Sequence, residues 1–210
     1  MSSGRTLENH GSYAQRIGTA LFPRRGFLWG ALGILVFLSA HPTPQLFKTG
    51  ILLIVAGTAL RAWCAGYIKA HRGKMHNVRE LLTCGPYAHL RNPLYLANGI
   101  IGSGVVFLSG KLFWFLFFIP FLFLLYGFIV SAEEAFLSER FGSEYQKYAE
   151  AVPRLIPRLT PYPGRKSSPF SWQAFLTSEV HTLVTFLLVI LLFYLRGTPL
   201  FAFLNRFHIF

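Results

Sequence analysis

Residues 85–98 read GPYAHLRNPLYLAN, and the rest of the chain is best read outward from them. Gly85-Pro86 is a turn signal. Asn92-Pro93 has the form of a helix start, with Asn suited to capping free amides and Pro to the first turn. An apolar run follows directly, and the next apolar run ends in two adjacent carboxylates, Glu133 and Glu134. If both runs cross a bilayer as a hairpin, the turn and the carboxylate pair meet on one side of it. A small polar ligand would then be held at the cytosolic edge of the membrane.

The composition agrees with a membrane setting. Of 210 residues, 53% are hydrophobic, 17% aromatic and only 13% charged, and the mean hydropathy is +0.45. A soluble domain carries about a quarter charged residues. Apolar runs at 27–40, 46–68, 94–109, 112–132 and 175–195 approach the roughly 20 residues that a bilayer core requires, the first by borrowing its flanks. His41-Pro42-Thr43-Pro44 and Gly110-Lys111 read as hairpin turns between them. Residues 133–150 set Phe136, Phe141, Tyr145 and Tyr148 among charges at near-helical spacing, interrupted by Gly142, as in a helix lying in the interface. Val152, Pro153 and Pro157 end it. The expected fold is therefore all-α. It is a single integral membrane helical bundle over residues 1–210, with about five transmembrane helices and a cytosolic interfacial helix, and 175–195 forms an additional C-terminal span.

Charge sets the expected orientation. Outside the spans, fifteen Lys and Arg fall in the N-terminal tail and in the segments after spans two and four, against four on the opposite side. By the positive-inside rule the N-terminus is cytosolic and the C-terminus outside. Residues 1–25 then form a retained cytosolic tail, partly a surface helix, of a multi-pass protein of the bacterial cytoplasmic membrane. The formal charge of +12 suits the anionic membrane lipids of the cytosolic leaflet. No nucleic-acid module is recognisable, so no nucleic acid is expected as a partner. Cys64 and Cys84, 20 residues apart, suggest neither a disulfide nor a zinc site, and His71 and His76 read as solvated, so no metal is expected. All eight acidic residues are Glu, which confines carboxylate chemistry to a few positions.

Tyr87, His89, Arg91 and Tyr95 place aromatic faces and donors beside a helix start, a setting that favours anionic groups. A carboxylate at a helix C-terminus opposes the dipole by about 0.3–1 kcal/mol. The Glu133–Glu134 pair therefore either reaches water or invites a cation, namely Arg91, Arg140 or a ligand's ammonium group. Arg61, in the last third of span two, would cost about 2.5 kcal/mol or more if left unpaired. It must face the bundle or reach back to the interface. Glu179 and His181, at the start of the last span, can pair with one another or cap it.

Three strings in this order, LLTCGPYAHLRNPLYLAN (81–98), EE (133–134) and FGSEYQKYAEAVPRLIP (141–157), resemble the isoprenylcysteine carboxyl methyltransferase family with its bacterial and phospholipid methyltransferase relatives. The resemblance covers residues 81–157, which it marks as the cofactor-binding core. It implies an integral membrane enzyme that binds S-adenosylmethionine without a Rossmann domain, consistent with the lack of any glycine-rich strand-to-helix fingerprint. Gly85, Pro86, Tyr87, Arg91, Asn92, Pro93 and Tyr95 would line the cofactor pocket, Glu133 and Glu134 would close it, and Leu82, Thr83 and His89 are weaker correspondences. A Glu carboxylate suits the cofactor's ammonium, Arg91 its carboxylate, and tyrosine rings its adenine or sulfonium. Arg61, Arg91 and Arg154 would hold a carboxylate or phosphate of a lipophilic small-molecule or lipid-modified acceptor, so that Arg91, Glu133, Arg61 and Arg154 carry the chemistry. The chain departs from the family pattern at Asn92, commonly His, and at Ala97, commonly Gly. Two other readings compete. One is an NADPH-dependent membrane reductase of the sterol-reductase type, which is built with about twice as many spans. The other is a non-enzymatic scaffold or transporter that uses the embedded Arg61, Glu179 and His181.

Overall fold

The computed structural model describes residues 12–68 and 80–201. Residues 1–11 of the expected tail, His71 and His76 with the basic loop around them, and residues 202–210 lie outside the described residues. Helix α1 (Tyr13–Leu21) passes through a 3-10 turn (Phe22–Arg24) into α2 (Arg25–Leu38). Then come α3 (Pro44–Ala65), a 3-10 turn (Gly85–Ala88), α4 (Pro93–Leu108), a 3-10 turn (Leu112–Trp114), α5 (Phe115–Phe141), α6 (Ser143–Ala151) and α7 (Trp172–Arg196). No strand occurs among the described residues. Tyr13–Leu38, Pro44–Ala65, Leu112–Phe141 and Trp172–Arg196 are long and apolar enough to cross a membrane. The all-α membrane bundle read from the sequence is the fold observed.

Three features differ from expectation. The third apolar run forms a helix of only 16 residues, about 24 Å at 1.5 Å per residue, short of a hydrocarbon core of about 30 Å. Pro93 prevents an earlier start, and Gly110, at φ +72°, turns the chain immediately after Ser109. Because α4 is short and central, with Ala97, Ile101, Gly104 and Leu108 buried, the polar turn that precedes it is drawn toward the bilayer. Next, residues 133–141 belong to α5 itself, and only 143–151 form the separate α6; the break is Gly142, at φ +50°, a backbone region that disfavours a side chain. Glu133 and Glu134 therefore stand about two turns before the end of α5, where the expected dipole opposition no longer applies. Finally, residues 13–25, expected as a cytosolic tail that is partly a surface helix, run on into α2, so that Tyr13–Leu38 forms one long apolar stretch. Ser12 and Gln15 form a capping box, and Gly18 lets α1 press against the Phe128 carbonyl and Ala132 of α5.

Helices α3 and α4 run antiparallel, with glycines at their crossing. A Cβ added to Gly104 would stand 2.8 Å from the Gly50 carbonyl oxygen and 3.0 Å from the Ile54 nitrogen, backbone atoms that cannot give way singly. Close approach through small residues replaces the hydrophobic drive that lipid removes. The departure at Ala97 is accommodated by the facing helix: Gly57 lies against the Ala97 carbonyl, 2.9 Å from where its own Cβ would be. We expect Gly104→Val to destabilise the bundle by about 2–3 kcal/mol through overpacking, read as a shift in the unfolding midpoint in detergent. The expected hairpin turns close one end: His41 N donates to Ser109 O (2.7 Å) and Trp114 Nε1 to Ser39 Oγ (2.7 Å). At the other end Ser171 N donates to Gly66 O (2.7 Å), docking the linker before α7 on the end of α3. The 85–92 turn lies at this second end.

Candidate functional site

The turn owes its shape to Gly85, whose φ is +56° and whose missing side chain leaves room for the Tyr67 ring. Tyr87 N closes it on Cys84 O (3.1 Å). Over it lies a strap of residues 152–168, tied down by backbone bonds from Arg91 N to Pro153 O (3.0 Å), Arg158 N to His89 O (3.0 Å) and Tyr162 N to Ala88 O (2.9 Å). His89 Nδ1 meets Arg158 O at 2.9 Å, a contact that requires the proton on Nδ1. Thr83 Oγ1 accepts from Lys166 N (3.0 Å), and Tyr148 Oη donates to the Tyr87 carbonyl (2.7 Å). His89 and Thr83 thus secure the strap, and Leu82 is half buried beside them. Burial pushes the Tyr145 and Tyr148 phenols above their ordinary range, so both are neutral donors near pH 7.

Glu134 is the centre of the site. It accepts from Arg154 Nε (3.2 Å, to Oε1), from Arg154 Nη2 and from Asn92 Nδ2 (3.2 Å, to Oε1), while Arg91 Nη1 stands 3.4 Å from Oε1. The Glu134 side chain is 11% exposed and that of Arg91 17%, whereas Arg154 is half exposed. The hydrogen bonds that Arg154 donates to Glu134 hold the Arg154 pKa above its ordinary value. Two guanidinium groups around one carboxylate leave a net positive charge. Beside it, Arg91 Nε and Tyr145 Oη are buried close to one another, neither with a hydrogen bond of regular geometry among the described residues. Asn92, expected to cap α4, makes no such cap and turns its amide to Glu134 instead, a task for which a neutral donor suffices. Arg140 is not part of the cluster; its guanidinium stands over the Phe141 ring, 6.0 Å from the centroid.

The acidic pair does not act as a unit. One residue of rotation, about 100° around the helix, carries Glu133 to another face, where it meets the Tyr95 hydroxyl with Arg25 nearby. The Tyr95 ring lies 4.4 Å from that of Tyr126, which opens a second polar row. Arg61 forms a two-pronged pair with Glu179 (Nε to Oε2 2.9 Å, Nη2 to Oε1 3.1 Å) and donates to Asn98 Oδ1 (2.5 Å). Asn98 Nδ2 donates to Tyr126 Oη (2.9 Å), which also accepts from Trp29 Nε1 (2.9 Å). This row takes one residue from each of α2, α3, α4, α5 and α7. Arg61 also lies within electrostatic reach of Tyr87, so the row adjoins the turn. An acceptor anion would have to displace Glu179 to reach Arg61.

Sequence reasoning singled out Arg61 and Glu179 but not their pairing, and it missed Arg25, Trp29, Asn98 and Tyr126. Asn98, an amide inside an apolar run, was a usable signal. Arg25, Trp29 and Tyr126 carried none, since their roles arise from contacts far apart in the chain.

Residues 46–144 match the model of the phospholipid methyltransferase family, in agreement with the resemblance read from the motifs. The match includes the turn and Glu134 but neither Arg154 nor α7. The chain is 35% identical over 127 residues to the cobalt-zinc-cadmium resistance protein CzcN of Cupriavidus metallidurans, covering 60% of this chain and 55% of that protein. It is 36% identical over 117 residues to the nickel-cobalt-cadmium resistance protein NccN of Alcaligenes xylosoxydans xylosoxydans, covering 55% and 51%. The chain thus spans about half the length of the curated relatives it matches. No solved structure matches it.

Proposed function

We propose that this chain, with its phospholipid methyltransferase family domain at residues 46–144, is an S-adenosylmethionine-dependent integral membrane methyltransferase acting on a lipophilic or amphipathic acceptor. The positive-inside bias supports a cytosolic N-terminus, an outward C-terminus and a site at the cytosolic face. One observation carries the reading: the 85–92 turn, Glu134 and Arg154 converge on a cluster that keeps a net positive charge and buries Arg91 Nε and Tyr145 Oη side by side with no hydrogen bond of regular geometry among the described residues. Buried donors of this kind ordinarily have a partner. An amino-acid head fits them, its carboxylate at Arg91 and its ammonium at Glu134.

When bound, the cofactor supplies a methyl group activated by a sulfonium. The chain's own residues bind and align. Glu134 holds Arg91 and Arg154 side by side, and Tyr87, in the turn, would offer its ring face to a cation or a base. The 152–168 strap lies over the turn, and wherever a bound ligand displaces water there, the electrostatic contacts inside sharpen. Methyl transfer consumes the charge on sulfur, so alignment in a dry site is the main requirement. The metal-resistance names of the curated relatives specify no acceptor.

Calorimetry on the detergent-purified protein tests the assignment. S-adenosylmethionine should bind, and Arg91→Ala should weaken it by about 10- to 150-fold, the worth of a charge-assisted hydrogen bond of roughly 1.5–3 kcal/mol. Binding of NADPH in place of S-adenosylmethionine would overturn the reading in favour of a reductase.

A further inference from the structure

Helix α7 joins the bundle by one face. Glu179 is turned to Arg61, and Phe193 packs into the core nearer the other end. The opposite face is not uniformly apolar. Gln173, Thr177, His181 and Thr185 are all exposed and recur every four residues, which sets them in one row along the helix, flanked by the exposed Leu176, Val180, Val184 and Leu188. Trp172 and Tyr194, both exposed, stand 22 residues apart, about 33 Å of helix. That spacing fits a hydrocarbon core of about 30 Å with an aromatic side chain at each interface. His181, nine residues from Trp172 or about 14 Å, therefore faces outward close to the midplane of the bilayer.

Polar groups at that depth meet no water. The Thr177 and Thr185 hydroxyls donate to the Gln173 and His181 carbonyls of their own helix, which leaves their oxygens able to accept. The Gln173 amide and the His181 ring have no hydrogen-bond partner among the described residues, an expensive state in hydrocarbon. Whatever covers the row has to offer donors and acceptors at the same depths. A second copy of this chain does so, because copies inserted with one topology bring identical residues to identical heights. The row is also self-complementary: a carboxamide pairs with a carboxamide, and a neutral imidazole donates to a threonine oxygen or to the bare nitrogen of the other imidazole. We propose that the chain is a homodimer in the membrane, with the Gln173–Thr177–His181–Thr185 row of α7 as its two-fold interface. A seam of spacing four follows the i±4 ridge, so the paired α7 helices cross right-handedly at about −40 to −50°. The interface lies beyond the residues that match the family model.

Single-molecule photobleaching of the full chain, dye-labelled and reconstituted in vesicles of phosphatidylethanolamine and phosphatidylglycerol, measures the dimer fraction against protein density. The wild type should pass from one bleaching step to two as density rises. His181→Leu, a side chain that suits lipid, should need about tenfold more protein per lipid to reach half dimer, the worth of two interhelical hydrogen bonds, one from each copy. Thr49→Leu, the same kind of change at an exposed position of α3, should stay within about twofold of the wild type. Oxidative cross-linking in the same vesicles identifies the face. Thr177→Cys should give a disulfide-linked dimer and Leu124→Cys, exposed on α5, should not, while the buried Cys64 and Cys84 stay out of the reaction. A wild type that is monomeric at every density would overturn the interface. So would equal dimer constants for His181→Leu and the wild type, equal losses in His181→Leu and Thr49→Leu, or cross-linking at Leu124→Cys as strong as at Thr177→Cys.

Discussion

Glu134→Gln is expected to lower the unfolding free energy in detergent by about 3 kcal/mol and to weaken S-adenosylmethionine at least tenfold. The same change at Glu133 should cost less than about 1 kcal/mol and move the affinity by no more than about threefold. The asymmetry follows from where the two carboxylates point. Among the described residues, Glu134 is the acidic group that pairs with both Arg91 and Arg154, and it receives the Asn92 amide as well. A glutamine there leaves two guanidinium groups facing each other with no counter-charge. The stability loss sits at the lower end of the range for a broken buried pair because Arg154, half exposed, can turn to water. Glutamine at 133 can still accept from Tyr95. The sign of the affinity change is decisive: if Glu134→Gln bound the cofactor more tightly, Glu134 would be a competitor for the arginines rather than the group that sets them in place.

Much of this was legible in the sequence because bilayer physics constrains it so strongly. Apolar runs of span length, two short polar breaks and the bias of Lys and Arg fixed an all-α bundle in which residues 85–92 and 133–134 share one end. The resemblance carried by the GPY and RNP elements and the acidic pair pointed to the family that residues 46–144 match. Hydropathy said little about helix length, and two local features overrode it. Pro93 and Gly110 cut α4 to 16 residues, and the good helix formers from Ala135 to Arg140 carried α5 past the acidic pair as far as Gly142. Nor could periodicity show that neighbouring glutamates serve different faces, since that depends on the rotation of α5 against α4. The second polar row was illegible for a related reason: Trp29 and Tyr126 are 97 positions apart and Arg61 and Glu179 118 apart, and nothing in either local sequence announces its partner.

The Arg61–Glu179 pair yields the largest stability effect we expect. Glu179 is 1% exposed and Arg61 is the cation paired with it, on helices that lipid surrounds. Arg61→Leu removes the two-pronged cation from a buried carboxylate and Glu179→Leu removes the counter-charge from a guanidinium, and each should cost about 3–5 kcal/mol, the usual penalty for breaking a buried pair from one side. The double replacement removes both charges and the need to desolvate them, so it should recover most of that loss, leaving a coupling of roughly 2–4 kcal/mol in a double-mutant cycle. The two singles would differ in one respect. Arg61→Leu also orphans Asn98 Oδ1, which accepts from Arg61 at 2.5 Å, so its loss should exceed that of Glu179→Leu by about 1 kcal/mol. Additive losses in the double variant would mean that the two side chains stabilise the bundle separately, through contacts with other groups. Coupling of the expected size would instead make α7, which lies outside the family match, a structural partner of the α3 residue that adjoins the turn.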